Sequence, residues 1–430
     1  DDPNYTFDAK TPFPDDMRIY RDLVFGKHVH VLMTDLRRYR VDHLIPEEAF
    51  PGAVAVTQAE LETHIGSVPS HAGPYFDVDA LESGKYATLL KSEAKKLGLA
   101  DGVIKGSISA SWVNTQISTL NEGKDDKDKV AAIDKDALAK MERGLAYHHF
   151  FKTSQHTILG SRYLVLQDAY ETYAKVRYKA SKGKSEIVLG EKQRKWFLDS
   201  VKASKQTWKI WGNEYCLLKR VADLTPFPDS VVSSAFRQRF LLSAEDWDGF
   251  PNRRDEIIGA LSDAGNVVAV TGDIHAFFAS TPWVSTDPTR RVVEFVTGAV
   301  SSSSYKSLLL SQATSNQTLI DAGAASLAAV ADKIILGDFA EDPAKRPNPH
   351  LGYTSVDRNG CVVVEADGKE LIATFFEIFE GHNDENLGTG DKLDKAFGYV
   401  RFKVAAGSTD LHREEGSAWK RWDSDKCAWV

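Results

Sequence analysis

Three pairs of side chains in this 430-residue chain have the types and spacings that chemistry at a metal or a phosphate calls for. Asp273 and His275 follow the apolar run Val267 to Val270, with Thr271 and Gly272 between run and pair. A carboxylate and an imidazole two residues apart on one loop can reach a single metal ion or substrate. Asp35 and Arg37 repeat the arrangement after His28 to Met33. There a possible metal ligand stands beside a guanidinium whose planar fork matches phosphate or sulfate oxygens. Asn213 and Glu214 close a third apolar run that starts at Trp208. Mixed Asp, Asn and His donors suit hard divalent or trivalent metals rather than a thiolate zinc site. Two such ions about 3.5–4 Å apart would clamp a phosphate ester and activate a water. Each pair also has a plainer account: an Asp–His hydrogen bond that ties down a loop, or a surface ion-pair cluster. Spacing alone leaves both accounts open.

The elements that must carry these residues are legible in outline. Val267 to Val270 is apolar enough to be buried on both faces, as a central strand of an α/β sheet is. Ligands of open α/β sheets sit outside the carboxyl ends of the strands, where Asp273 and His275 fall. Leu23 to Phe25, a turn at Gly26-Lys27 and His28 to Met33 read as a hairpin. Leu189 to Ser204 reads as an amphipathic helix with Trp196, Phe197 and Val201 inward. Gly360 to Glu365 and Glu370 to Ile378 read as antiparallel strands joined at Asp367-Gly368. The Gly/Ser-rich turn at Gly298 to Ser304 before the next helix fits either anion binding by backbone N–H groups or a helix cap.

The region 66–185 has a different character, with three stretches of helical periodicity and a basic linker at its end, and reads as a helical insertion. His148, His149 and His156 lie in it as possible metal ligands or as partly buried helix residues. The predicted organisation is therefore a core in two parts, 1–65 and 186–385, interrupted by the insertion and followed by a polar tail over 386–430.

Composition bounds the function classes. A net charge of −8 and a pI near 5.9 argue against a dedicated nucleic-acid surface. The three cysteines, Cys216, Cys361 and Cys427, have no metal spacing and allow at most one disulfide. No apolar run reaches the ~18–20 residues of a transmembrane helix. The chain opens on Asp and shows no signal peptide, so a processed or fragmentary product is expected, with any targeting segment removed.

The order of segments resembles that of PhoD-like alkaline phosphatases and phosphodiesterases. Asp35 to Arg40 is similar to their D-T-R-x-Y-R element, and Leu189-Gly190 with Gln193 and Trp196 to their L-G-x-x-Q-x-x-W-L helix. Trp208-Lys209 with Gly212-Asn213 resembles the W-K-x-x-G-N-Q strand, and Trp247 to Pro251 the W-D-G-Y-P loop. Thr271 to His275 resembles the S-G-D-x-H metal loop, Glu294-Phe295 with Ser301 to Ser304 the E-F…S-S turn, and Asn348 to His350 the N-P-H segment. The resemblance covers about 15–65 and 186–380.

It implies a calcineurin-like metallophosphoesterase, α/β (α+β) in class: a two-layer β-sandwich flanked by helices, with the 66–185 insertion unaccounted for. It implies hydrolysis of phosphate mono- or diesters at metal ions, Fe3+ and Ca2+ with Zn2+ or Mn2+ as alternatives. Asp35, Asp273 and His275 would be metal ligands, and Arg37 and His275 would serve catalysis. Arg37 would hold the substrate phosphate, with Asn348 and His350 nearby. The family's earlier A-S-C, G-D-x-x-Y and W-D-D-H-E elements do not occur in this sequence. The expectation is thus a sandwich and a site completed by a second polypeptide, in an extracellular or periplasmic setting. A phospholipase D-like or phosphotriester hydrolase on the same scaffold, and a non-catalytic binding subunit, are the competing expectations.

Overall fold

A computed structural model of the chain describes residues 18–46, 49–96, 104–150, 164–234, 236–315, 317–321, 323–379, 386 and 388–430. Its centre is a seven-stranded sheet of β1 (Arg21–Phe25), β2 (Val29–Met33), β3 (Trp208–Asn213), β4 (Val267–Thr271), β5 (Phe277–Ser280), β6 (Val293–Val296) and β7 (Leu351–Ser355), in the order β1-β2-β3-β4-β6-β5-β7. Strands β2, β3, β4 and β6 run parallel, while β5 runs antiparallel to both β6 and β7. The register pairs Met33 with Gly212, Thr271 with Asn213 and Thr271 with Val296. Four carboxyl ends therefore lie level, and the loops after them open on one side of the sheet.

The second layer is antiparallel throughout: β8 (Asn359–Ala366), β9 (Glu370–Ile378), β10 (Phe397–Ala405), β11 (His412–Glu415), β12 (Ala418–Asp423) and β13 (Ala428–Trp429), paired in sequence order. Its buried residues Leu371, Ala373, Phe375, Phe402 and Val404 pack on Trp208, Val268, Phe277, Val293 and Phe295 of the first sheet. Phe375 sits at the centre, 5.4 Å from the Phe277 ring and 5.0 Å from that of Phe402. The opposite face of the first sheet, through Leu32, Trp211, Val267 and Ala269, meets the helices Glu191–Ala203 and Pro251–Ala264. The fold is α+β, with a two-layer sandwich covered by helices, as the sequence led us to expect.

Two regions differ from their sequence-based description. Residues 53–146 hold a four-stranded sheet of Val54–Val56, Gly73–Asp77, Ser107–Ser109 and Arg143–Ala146. The helices Lys85–Lys96 and Ala110–Asn121 lie in the same unit, around a core that includes Phe76, Tyr86, Ile108 and Val113. The region 66–185 is therefore mixed rather than purely helical. Strands of three to five residues are too short to show alternation, and the periodicity after Asn121 yields only the short helix Lys135–Lys140 before the chain turns into a strand. Residues 397–430 are not a loose polar tail but four strands of the second layer. Phe402, Val404, Leu411 and Trp422 are buried, and the Trp422 indole donates to the Pro349 carbonyl at 2.9 Å. Outward-facing polar residues at alternate positions masked that buried face in the composition. All three cysteines are free.

The sheet-to-sheet contact at Phe375 yields a stability prediction. Phe375→Ala leaves a cavity at the centre of the contact between the two layers, so the loss should be about 3–5 kcal/mol. Urea unfolding followed by tryptophan fluorescence measures it, and a loss below ~1 kcal/mol would contradict this packing.

Candidate active site

The residues at the carboxyl end of the sheet are held by a chain of buried hydrogen bonds. Glu294 on β6 is fully buried, and its carboxylate accepts from the backbone N–H groups of Leu217 (2.8 Å) and Leu218 (2.7 Å) and from the Thr271 hydroxyl (2.7 Å). Thr271 Oγ1 in turn accepts from the Asn213 amide at 3.2 Å. The other end of that amide accepts from the Trp247 indole at 3.2 Å, and the Asn213 NH2 also donates to the Tyr215 carbonyl. Asn213 is thus a brace linking β3, β4 and the Trp247-Asp248-Gly249 turn. Burial pushes the Glu294 carboxyl up from its ordinary range, opposed by the three donors.

Asp35 follows β2 and is 2% exposed. Gln193, on the helix Glu191–Ala203, accepts from the Asp35 N–H at 2.6 Å and donates to its carbonyl at 2.9 Å, so the backbone of Asp35 is clamped from both sides. One carboxylate oxygen, Oδ1, accepts from the N–H groups of Arg37 (3.1 Å) and Arg38 (3.0 Å). The other, Oδ2, is buried with no hydrogen-bond partner. A buried anionic oxygen left without a donor is a costly group that a cation would satisfy. Beside it, Glu214 accepts from the Leu36 N–H at 2.6 Å. Burial raises the Glu214 carboxyl, and the charges of Asp35 and Asp273 raise it further against the lowering by the Leu36 N–H and Arg37.

The loop after β4 brings the second pair. Asp273 and His275 have φ of 69° and 61°, the left-handed region that side chains other than glycine seldom occupy. Two such residues within three positions store strain of about 1–3 kcal/mol each, the kind held at sites where side-chain direction matters. His275 Nδ1 donates to the Ser303 carbonyl at 2.6 Å, and the His275 carbonyl accepts from the Tyr305 N–H at 2.9 Å. A carbonyl can only accept, so Nδ1 carries a proton, and in the neutral ring the lone pair is then on Nε2, the tautomer that a metal ligand needs. Arg37 reaches across to Asp273 Oδ1 at 3.3 Å, joining two segments 236 residues apart, with both side chains more than half exposed. The Arg37 guanidinium also lies 5.7 Å from the Tyr215 ring centroid.

The structure therefore gathers Asp35, Arg37, Glu214, Asp273 and His275 on one side of the sheet. Asn348 and His350 are elsewhere. They precede β7, which runs parallel to β4, so they enter from the amino-terminal end of the strands. Asn348 is saturated by Val221 and Ile335 backbone groups, and His350 Nε2 donates to the Lys219 carbonyl. Their side chains are committed to the frame, which corrects the expectation that they sit near the substrate phosphate. The Ser-rich turn resolves as a cap: Ser304 Oγ accepts from the Ser307 N–H at the start of the helix Tyr305–Ser315. His148 and His149 stack with centroids 4.0 Å apart, held neutral by burial with pKa values pushed down to about 4 and about 3. They line a different cavity, and His156 lies outside the described residues. Gln193, Glu294 and Ser303 are the residues that reading the sequence did not assign a role. For Glu294 the signal is a carboxylate inside an otherwise apolar strand.

Residues 153–375, more than half of the chain, match the family of PhoD-like phosphatases. The chain belongs to that family. Alkaline phosphatase D of Bacillus subtilis (strain 168) is 25% identical over 127 residues, 28% of this chain and 20% of the relative. A solved structure described as "Structure of PhoD" aligns with a TM-score of 0.43 and 13% identity, over 95% of this chain and 46% of that one. The chain thus spans less than half the length of these PhoD-like relatives.

For a hard metal ion the donor chemistry in this PhoD-like chain fits, since Asp35 Oδ2 is buried with no protein donor and His275 Nδ1 is taken by the Ser303 carbonyl, which leaves Nε2 as the ring nitrogen for a ligand role. Among the described residues, however, no group of three or more His, Cys, Asp or Glu side chains is placed to hold a metal ion.

Two predictions follow from this geometry. In chelator-treated protein Asp35→Asn should change stability by less than about 1 kcal/mol, because it removes a buried charge that has only half its partners. Ca2+ or Mn2+ should raise the Tm of the chelator-treated parent and leave that of this variant unchanged; an equal rise in both would show that Asp35 is no ligand. Glu294→Ala strands three buried donors and should cost about 3 kcal/mol or more in urea unfolding. The Glu294 pKa is raised in the folded state, so its contribution favours folding below the ordinary carboxylate range near 4.3 and is lost as pH rises through the folded value. Stability measured from pH 4 upward should accordingly fall less in Glu294→Ala than in the parent.

Proposed function

We propose that this chain forms one wall of the active site of a metal-dependent phosphate-ester hydrolase acting on mono- or diesters. The observation that carries the reading is the contact between Arg37 and Asp273, which brings the loops after β2 and β4 to one point at the carboxyl end of the sheet. Family membership supports the reaction class, and the tautomer of His275 and the unpartnered oxygen of Asp35 support the use of a metal. Asp35, Asp273 and His275 would each contribute a donor to the metal centre, Fe3+ and Ca2+ being the first candidates and Zn2+ or Mn2+ the alternatives; among the described residues the three do not form a group able to hold one ion by themselves. A metal so held supplies Lewis-acid stabilisation of phosphoryl oxygens and a water of lowered pKa.

The chain's own residues do the rest. Arg37 binds phosphoryl oxygens through its planar fork and meets the charge that develops on them. It gives up little to do so, because an ion pair as exposed as Arg37–Asp273 contributes roughly 0–1 kcal/mol. Gln193 keeps Asp35 from rotating, and Ser303 keeps the His275 ring in one orientation.

The remaining ligands, on this reading, come from further polypeptide that covers the edge of the sheet. Every residue of β1 is exposed, and Ile19, Leu23, Val24 and Phe25 are 44–58% exposed, an apolar edge that native proteins keep paired or covered. We place the assembled enzyme in an extracellular or periplasmic setting on the family resemblance. Among the described residues no helix is long and apolar enough to cross a membrane.

The test is a pair of variants scored for metal and turnover separately. His275→Ala should lose bound metal and activity together. Arg37→Ala should keep its metal and lower kcat on the order of 100-fold, the effect of removing one transition-state donor. Full metal content in His275→Ala by elemental analysis would overturn the ligand role.

A further inference from the structure

The residue that the candidate active site leaves out, His350, lines a separate cavity of about 240 Å3 at the amino-terminal end of β7. Its wall is basic. Lys219, Arg239, Arg254 and Arg346 contribute to it together with Trp283, His350 and three prolines, and no carboxylate does. Each of the four cations has a carboxylate partner outside the lining: Glu171 for Lys219 (2.8 Å), Asp223 for Arg239 (2.8 Å), Asp248 (3.0 Å) with Asp255 (3.8 Å) for Arg254, and Asp338 for Arg346 (3.0 Å). Those pairs hold the cations in place without using all of their donors, since a guanidinium carries five N–H groups. Arg254 is 3% exposed, and its Nε is buried with no acceptor; Arg346 Nε is in the same condition. Native structures rarely leave buried donors unmatched without something to take them up.

Three features decide what that would be. The charged groups lining the cavity are all cations, their carboxylate partners lying outside the lining, so a guest there meets donors rather than carboxylates, and paired guanidinium donors favour a planar or tetrahedral oxyanion over a halide. The cavity is too small for a nucleic-acid backbone, but at about 30 Å3 per liquid water it has room for a phosphate-sized ion and residual hydration. His350 adds no charge: burial holds its pKa down to about 3, and its Nε2 proton is committed to the Lys219 carbonyl. We propose that this cavity is a binding site for a small oxyanion of the phosphate or sulfate class, distinct from the site at the carboxyl end of the sheet. It does not rest on the phosphatase reading, because none of its wall residues belongs to that site.

Isothermal titration of the intact protein with inorganic phosphate at low salt tests it, using the parent, Arg239→Gln, Arg346→Gln and Arg37→Ala. Arg239 and Arg346 have partly exposed side chains, and far-UV circular dichroism checks that their variants fold. The expected result is a phosphate-binding event that survives Arg37→Ala, weakens at least tenfold in each of the two Gln variants, and is competed by sulfate. Arg346→Lys, which keeps the charge but not the fork, should fall between parent and Arg346→Gln. The proposal is overturned if both Gln variants fold and bind phosphate as the parent does, or if all phosphate binding disappears in Arg37→Ala. Absence of any binding to the parent at millimolar phosphate overturns it as well.

Discussion

The buried carboxylate of Glu294 is the point on which the functional end of this molecule depends. It takes two backbone N–H groups from Leu217 and Leu218 and the hydroxyl of Thr271, and Thr271 passes the chain on to Asn213 and then to Trp247. In a low-dielectric interior such a chain is stiff when complete and expensive when broken, since each removed partner leaves a desolvated group behind. Its consequence is geometric. The ends of β3, β4 and β6 cannot slide past one another, so the Asp273–His275 loop starts from a fixed platform and can sustain two left-handed residues.

A second buried network lies under the turn that follows. Arg220 is fully buried and paired with Asp246, while Asp248 accepts from the Arg220 N–H and from Arg254 Nη1. The Trp247-to-Pro251 element, with Asp246 before it, thus serves the framework: Asp246 and Asp248 neutralise two buried arginines, and Trp247 braces Asn213. Losing one member would strand its partner, which costs far more than any surface pair. Asp248 faces Arg220 and Arg254 rather than the open end of the sheet, so its place in a family-like motif does not make it a catalytic acid.

How much of this was legible in the sequence follows from how local each signal is. Val267–Thr271 announced itself because a strand buried on both faces is continuously apolar, and the helix Glu191–Ala203 because its apolar residues recur on one face. The Asp35, Arg37, Asp273 and His275 set was legible through strand-end placement and motif order, and the structure places all four past the carboxyl ends of β2 and β4, with Arg37 on Asp273. Asn348 and His350 carried the same kind of motif signal but lie at the other end of the strands, because motif order records which residues a fold keeps and not what each one touches. Partnerships set by tertiary register were out of reach: nothing local links Gln193 to Asp35 across 158 residues, or Ser303 to His275. The strands of 53–146 and 397–430 were hidden by brevity and by polar outward faces.

The contrast in exposure within the candidate site also has a mechanical meaning. Asp35 is sealed and clamped at its backbone and at one carboxylate oxygen, whereas Arg37 and Asp273 meet in the open by a single long contact. A rigid anion beside a loosely paired cation is an arrangement that can exchange partners. A phosphate dianion offers Arg37 a bidentate, charge-assisted pairing that the 3.3 Å contact with one oxygen of Asp273 does not. On the proposed reading, Arg37 turning to the phosphate would take the counter-charge from Asp273, whose charge, with that of Asp35, acts on the Glu214 carboxyl. The mutual repulsion of the three would then favour a bound cation more strongly than before. On the proposed reading, substrate and metal thus reinforce each other through the chain's own charges.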